Sequence, residues 1–319
     1  MTMTNQWKYA HCIKKGLRRE ESTACQDFIC TVEDENCIVT ALCEGVESKP
    51  SSAAAAEFTA AAACRMLQNC AKSDFRPHVT EKDELLQAIL KNIEALLQKR
   101  LSDQGIERGQ ADCTLAFVCV SKAFHFCYVG CLGNSAVCLI QRTGCRCITS
   151  DHEGDTVGMQ EPWLHAKQAV IDCEDDCFLG AILSSDGLSG EIYTKNTNAV
   201  HKAAELYFNA IFADDFEEAA SERMDVLRSE YGDSFDDDFA VAVISRSPRK
   251  VLLPEDPNWL CLCGERNPLE DTYCPGCDRD FDDVYRRIKF EKFGGKRHFF
   301  RYANAHPDFE RRAIGLTAQ

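Results

Sequence analysis

Two rhythms of apolar and polar positions run along this chain. Residues 28–32 and 37–42 are short apolar or β-branched runs parted by an acidic turn at 33–36, which predicts two paired strands. After Ser51 and Ser52 comes an alanine-rich stretch, and a helix is predicted over 53–67 because alanine has the best helix propensity and serine caps helix starts well. Its small side chains predict close packing on a sheet. A second helix is predicted over 81–101, where Leu85, Leu86, Ile89, Ile93, Leu96 and Leu97 recur at helical spacing. Strands return at 113–120, 124–129, 136–140, 169–172 and 177–184. Two acidic helices follow, at 198–212 and 216–230, before a last strand at 239–244.

The strands come in hairpin-like clusters and the helices in pairs. That order predicts an α+β fold, layered with antiparallel sheets, rather than an alternating doubly wound one. Proline enters at 245–258, so the predicted organisation is a domain over 1–246, a linker over 247–258, a small ribbon over 259–281 and a basic aromatic tail over 282–319.

Composition narrows the class. Of 319 residues 45% are apolar, enough for a sizeable core. The net charge of −15 argues against nucleic acid as the partner of the whole chain. The charge is uneven: from Val284 onward nine Lys or Arg face three Asp or Glu, a balance of +6 that leaves −21 on the rest. Twenty cysteines suggest a disulfide scaffold, but Cys37, Cys43, Cys113, Cys119, Cys127 and Cys138 sit in strand-like apolar runs, where a free thiol acts as a small hydrophobe. The opening residues carry no apolar signal core and no run is long enough for a membrane span, so the expectation is a cytoplasmic protein with reduced thiols and no membrane partner.

Acidic residues recur at strand edges: Asp27 after Gln26, Glu44 before Gly45, Asp186 before Gly187, and the pair Asp237-Asp238. If the strands lie side by side, these carboxylates converge at one end of a sheet. Clustered carboxylates raise one another's pKa unless cations neutralise them, and hard divalent ions with oxygen ligands are the natural neutraliser. Asp-Gly pairs are also ordinary surface turns, so spacing alone leaves both readings open.

The order of the motifs adds to this. Ala24-Cys25-Gln26-Asp27, Leu42-Cys43-Glu44-Gly45, Asp112-Cys113-Thr114-Leu115, Gly133-Asn134-Ser135-Ala136, Thr149-Ser150-Asp151-His152, Ser185-Asp186-Gly187-Leu188 and Asp237-Asp238-Phe239 follow one another as do the motifs of the PPM, or type 2C, metal-dependent protein serine/threonine phosphatases, which the chain resembles over residues 7–246 in a bacterial form. The resemblance implies a four-layer α-β-β-α sandwich, two antiparallel sheets flanked by helices, with two Mn²⁺ or Mg²⁺ ions between the sheets. It implies Asp186 and Asp237 as direct ligands, Asp27 as a ligand directly or through water, and Gly45 as a carbonyl donor. Metal-bound water would then hydrolyse phosphoserine or phosphothreonine in a protein substrate. Arg18, with Arg19 beside it, stands where the family places a phosphate-binding arginine; His11 and His152 are further acid or water-positioning candidates.

Two positions depart from the family. Its bridging aspartate is Glu44 here, one methylene longer, and an acidic position near a further metal is Asn134. These departures favour the alternative expectation, a phosphatase-like scaffold without turnover that binds partners through its ribbon and tail.

At the C-terminal end Cys261-Leu262-Cys263 and Cys274-Pro275-Gly276-Cys277 can supply four thiolates to one tetrahedral Zn²⁺. So short a segment buries little core, and zinc is expected to supply its folding energy. The order of Trp259, the cysteine pairs and Asn267 resembles the Ran-binding-protein type of zinc finger, with a tighter first pair. Such modules bind single-stranded RNA, ubiquitin or other protein surfaces. In the tail, Phe290, Phe293, Phe299, Phe300 and Tyr302 alternate with cations, a pattern suited to stacking bases, gripping an acidic partner or docking on the acidic body.

Overall fold

The structure is a computed structural model; it describes residues 7–16, 25–72, 82–141, 144–149, 155–157, 165–173, 178–194, 199–231, 237–246, 258–263, 266–268, 272–290, 299–300, 303 and 307–315. The chain forms two compact units, Met1–Leu253 and Pro254–Gln319.

In chain order the first unit runs β1 (Lys8–Lys14), β2 (Asp27–Glu33), β3 (Cys37–Glu44), α1 (Ser52–Cys70), α2 (Lys82–Asp103), β4 (Leu115–Ser121), β5 (Phe126–Leu132) and β6 (Ala136–Gln141). It continues through β7 (Gly144–Thr149), β8 (Lys167–Asp172), β9 (Phe178–Ser184), α3 (Asp186–Ile192), β10 (Tyr193–Thr194), β11 (Ala199–Val200), α4 (Ala204–Ala210), α5 (Phe216–Tyr231) and β12 (Phe239–Ser245). The strands make two five-stranded sheets, ordered β1-β12-β9-β6-β7 and β2-β3-β4-β5-β8, with every pairing antiparallel.

Side-chain alternation builds the layers. Along β3, Cys37, Val39, Ala41 and Cys43 pack with the apolar faces of α1 and α2, while Ile38 and Leu42 belong to the core between the sheets. Along β12, Phe239, Val241 and Val243 join α3, α4 and α5 on the outside, and Ala240, Ala242 and Ile244 turn inward. Two sheets with helices on both outer faces are the four-layer sandwich that the resemblance implies, and the α+β layering that the order of elements predicts. No disulfide joins the described cysteines, and most are buried. No helix among the described residues is long and apolar enough to cross a membrane.

Some elements differ from expectation. The edge strands β1 and β7 carry too little alternation to be read from sequence. The helix expected at 198–212 is shorter: Ala199 and Val200 pair with Tyr193 and Thr194, and α4 starts only at Ala204. Thr194 Oγ1 lies 2.6 Å from His201 Nε2, and His201 N–H donates to the Ile192 carbonyl at 2.7 Å, which holds this turn extended.

The second unit contains β13 (Asn258–Leu260), β14 (Arg266–Pro268), α6 (Phe281–Tyr285) and α7 (Pro307–Ala313). Trp259 pairs with Asn267 across the small hairpin. The unit has an aromatic core. Trp259, Phe299 and Phe300 are fully buried, and the Tyr285 and Phe300 rings meet edge to face at 4.9 Å. This corrects the view of the tail aromatics as a surface stacking platform: Phe299 and Phe300 face inward, while Arg286, Arg287 and Lys289 stay exposed. Burial of the rings and exposure of the cations satisfy both halves of the mixed pattern. Phe293 and Tyr302 lie outside the described residues. Buried Glu310 is paired by Arg266 at 3.0 Å and by the Tyr285 hydroxyl at 2.7 Å.

Candidate active site

The carboxylates converge where the two sheets face each other at one end. Asp27 opens β2 and Glu44 closes β3, and they are direct cross-strand partners. Like charges directly opposite one another destabilise a sheet, and these two are also buried, with only 8% and 6% of their surfaces exposed. Burial pushes the Asp27 carboxyl well above the usual range, aided by the charges of Asp238, Asp186 and Asp237 and opposed by a hydrogen bond from Ser185. Burial likewise raises Glu44, followed by the charges of Asp186 and Asp27. Asp27 Oδ2 is buried with no hydrogen-bond partner among the described residues.

Glu44 reaches across to the other sheet. Its Oε1 accepts from the Ser135 hydroxyl at 2.8 Å and from the Asp186 backbone N–H at 2.9 Å. Asp186 begins α3, and its Oδ2 accepts from the Asn134 side-chain amide. Asp237 is exposed, and its Oδ1 accepts from the Asp238 N–H at 2.8 Å.

Two glycines set the backbone here. A Cβ on Gly45 would lie 2.8 Å from the Ser52 carbonyl carbon, and one on Gly187 would lie 2.3 Å from the Asp238 carbonyl oxygen. Gly187→Ala is therefore expected to force backbone apart at the site, lowering stability by about 1–3 kcal/mol, the usual cost of overpacking; urea denaturation checks it.

Asp238, which motif reading set beside Asp237 without a separate role, has both oxygens engaged. Oδ1 accepts from Gly16 N–H and Oδ2 from Gln26 N–H, both at 2.7 Å. Its carboxylate thus joins Gly16 to Gln26, which flank in sequence the stretch that contains Arg18 and Arg19. Those arginines, like Asp151 and His152, lie outside the described residues. His11 is an exposed mid-strand residue paired with Ala242, away from the end of β1 that leads to Gly16. Gly45 follows Glu44 directly, and its N–H donates to the Gln26 carbonyl at 2.9 Å.

The donor set fits a hard divalent cation. It is all oxygen and all anionic, and it includes a buried carboxylate oxygen left without a donor. Among the described residues, no three of these acidic groups place oxygens mutually within 4.8 Å.

In the second unit the thiols of Cys261, Cys263, Cys274 and Cys277 all lie within 4.8 Å of one another, the one such group among the described residues. Cys261 Sγ stands 3.4 Å from Cys277 Sγ, and Cys263 Sγ stands 3.6 Å from Cys274 Sγ. A tetrahedron with metal–sulfur bonds of about 2.3 Å has edges of about 3.8 Å, so the four are close to a closed site. Asp278, with φ of 56°, turns the chain back after Cys277, and its N–H donates to the Cys274 carbonyl at 2.8 Å.

A family model described as Protein phosphatase 2C matches residues 17–230. No curated protein matches the chain. Among solved structures, a bacterial serine phosphatase bearing an arginine substitution is similar with a TM-score of 0.53 at 14% identity, over 76% of this chain and 99% of that one. The serine/threonine phosphatase of S. agalactiae is similar with a TM-score of 0.50 at 15% identity, over 75% and 99%. Serine/threonine phosphatase Stp1 from Staphylococcus aureus is similar with a TM-score of 0.50 at 14% identity, over 75% and 95%. At these identities the likeness is one of fold.

Proposed function

The chain belongs to the protein phosphatase 2C family, and from that premise we propose that it hydrolyses phosphoserine and phosphothreonine in protein substrates with Mn²⁺ or Mg²⁺ at the sandwich site. The observation that carries this reading is the cross-strand pair Asp27–Glu44: two buried carboxylates face one another, and Asp27 Oδ2 has no donor among the described residues. A fold bears that arrangement when a cation neutralises it.

Asp27, Glu44, Asp186 and Asp237 would hold two ions, with the Gly45 carbonyl as a further oxygen. The ions supply an activated water and a clamp on the phosphoryl oxygens. The chain's own contribution is positioning. Asp238 joins Gly16 to Gln26, on either side in sequence of Arg18, the proposed phosphate-binding residue, and the Asp186 N–H and Ser135 hydroxyl hold Glu44. Zn²⁺ on Cys261, Cys263, Cys274 and Cys277 organises the second unit as a ribbon. Its exposed Arg286, Arg287 and Lys289 offer a surface for a protein or RNA partner. A cytoplasmic signalling role fits these features.

A second reading has its own observation. The Asn134 amide donates to Asp186 Oδ2, and Glu44 Oε1 is already engaged, so two oxygens of the acidic set are occupied from within the protein. That favours a phosphatase-like scaffold which binds partners without turnover.

Hydrolysis of p-nitrophenyl phosphate and a phosphothreonine peptide, with Mn²⁺, Mg²⁺ or EDTA, separates the two readings. Cation-dependent turnover that falls at least about a hundredfold in Asp186→Ala is the expected result, the scale of losing one preorganised charge at a reacting centre. Absence of turnover from folded, Mn²⁺-bound protein would establish the scaffold.

A further inference from the structure

Glu44 sits in a closed ring of hydrogen bonds whose directions the chemistry fixes. The Glu44 backbone N–H stands 3.0 Å from Thr114 Oγ1, and Thr114 Oγ1 stands 2.7 Å from Ser135 Oγ. Ser135 Oγ in turn stands 2.8 Å from Glu44 Oε1. A backbone N–H only donates, and Glu44 Oε1, which also takes the Asp186 N–H, is the acceptor here. The Ser135 proton therefore goes to Glu44, and the Thr114 proton goes to Ser135. Starting at the backbone of Glu44, the ring ends on the same residue's carboxylate.

All three members are buried, with Thr114 5%, Ser135 0% and Glu44 6% exposed. The ring joins the sheets: Glu44 ends β3, Thr114 precedes β4 in the same sheet, and Ser135 precedes β6 in the other. A second donor from that other sheet, the Asp186 N–H, shares Glu44 Oε1. Two donors fill the lone pairs of Oε1. Both of these side-chain hydrogen bonds to Glu44 fall on Oε1, while Oδ2 of the cross-strand partner Asp27 is buried with no hydrogen-bond partner among the described residues.

We infer that Thr114 and Ser135 are positioning residues that compensate for glutamate at this place by anchoring its longer side chain through Oε1, so that Oε2 alone is presented to a divalent cation beside Asp27 Oδ2. This inference rests on the divalent-cation reading above. The shorter aspartate would reach one methylene less far toward Ser135, so the ring and the glutamate form a matched pair. Partners that hold a ligand by its second atom typically change metal affinity about 10–100-fold when removed.

The test is Mn²⁺ binding by calorimetry on the full chain, with melting in EDTA measured alongside. Ser135→Ala is expected to weaken Mn²⁺ binding about 10–100-fold. Thr114→Val should act in the same direction with a smaller effect, and Thr114→Ser, which keeps the hydroxyl, should bind as the wild type does. In a Glu44→Asp background the effect of Ser135→Ala should shrink, because the two sites are coupled. A merely structural ring would lower the melting temperature in EDTA and leave Mn²⁺ affinity unchanged. That result overturns the inference, as does an equal loss in both backgrounds. If Ser135→Ala does not fold, the Thr114 pair carries the same comparison. Wild-type protein that binds no Mn²⁺ would sink the cation reading and this inference together; binding indifferent to Ser135 and Thr114 would sink the inference alone.

Discussion

In EDTA, Asp27→Asn is expected to melt several degrees above the wild type at about pH 8, and the gap is expected to widen as pH rises above the ordinary carboxylate range. Asp27 and Glu44 are buried neighbours whose carboxyls are both pushed up, chiefly by burial. A carboxyl raised in the folded state above its unfolded value contributes stability that is complete below the ordinary carboxylate range. The contribution is lost as pH climbs through the folded value. The cation-free wild type therefore loses stability toward neutral pH, and an asparagine in place of Asp27 removes that part of the loss. Relieving one buried unsatisfied group is worth about 1–3 kcal/mol, and each kcal/mol moves the midpoint of a domain this size by about 2–4 °C. Mn²⁺ should reverse the order. At a hundredfold excess over its dissociation constant it adds about 2.7 kcal/mol to the wild type, with its largest effect at the pH where the carboxylates are ionised. Differential scanning calorimetry across pH, with and without Mn²⁺, checks both signs. A wild type that is more stable than Asp27→Asn in EDTA at pH 8 would mean that the pair is neutralised from within the protein.

The features legible in the sequence were those with local causes. The alternation in β3 and β12 shows in the residues themselves, as does the helical spacing of Leu86, Ile89, Ile93 and Leu97 in α2. The alanines of α1 likewise announce a helix pressed on a sheet. The acidic motifs could be placed in order because each is a short string at a strand end. The partners of those strings were not legible. Asp238 binds the backbone of Gly16 and Gln26, more than two hundred residues away in sequence, and a hydrogen bond to backbone leaves no trace in side-chain identity. The Thr114–Ser135 ring was hidden for the same reason, although both residues stand in strings that the motifs had marked. Helix α3 was missed because it begins on Asp186-Gly187 and holds Gly190, and glycine costs helix propensity. The core of the second unit was missed because its rings are spread over Trp259, Phe281, Tyr285, Phe299 and Phe300 without a period, among cations that suggest a surface.

That second core sharpens what zinc is expected to do. Segment 259–281 alone has little to bury, but the unit from Pro254 to Gln319 stacks Phe281 on Tyr285 at 5.0 Å and sets Trp259 edge-on to Phe281 at 5.4 Å. Even so, a unit below about 70–80 residues rarely draws more than about 3–5 kcal/mol from a single core, whereas a structural zinc site contributes about 10–16 kcal/mol near neutral pH. Cys261 and Cys274 are buried within that same core, and burial pushes the Cys261 thiol up to about 12 in the absence of metal. Cys274→Ser is therefore expected to release zinc and unfold the second unit, because the metal's contribution exceeds what the aromatic core can replace. The first unit has its own three core clusters and shares none of these residues, so it should stay folded and keep its cation-dependent melting. Limited proteolysis with zinc analysis by mass spectrometry reads this directly: rapid cleavage C-terminal to Leu253 beside an intact first unit is the expected pattern. A zinc-free Cys274→Ser variant that resists protease as the wild type does would show that the aromatic core suffices, and that the four thiols serve another purpose.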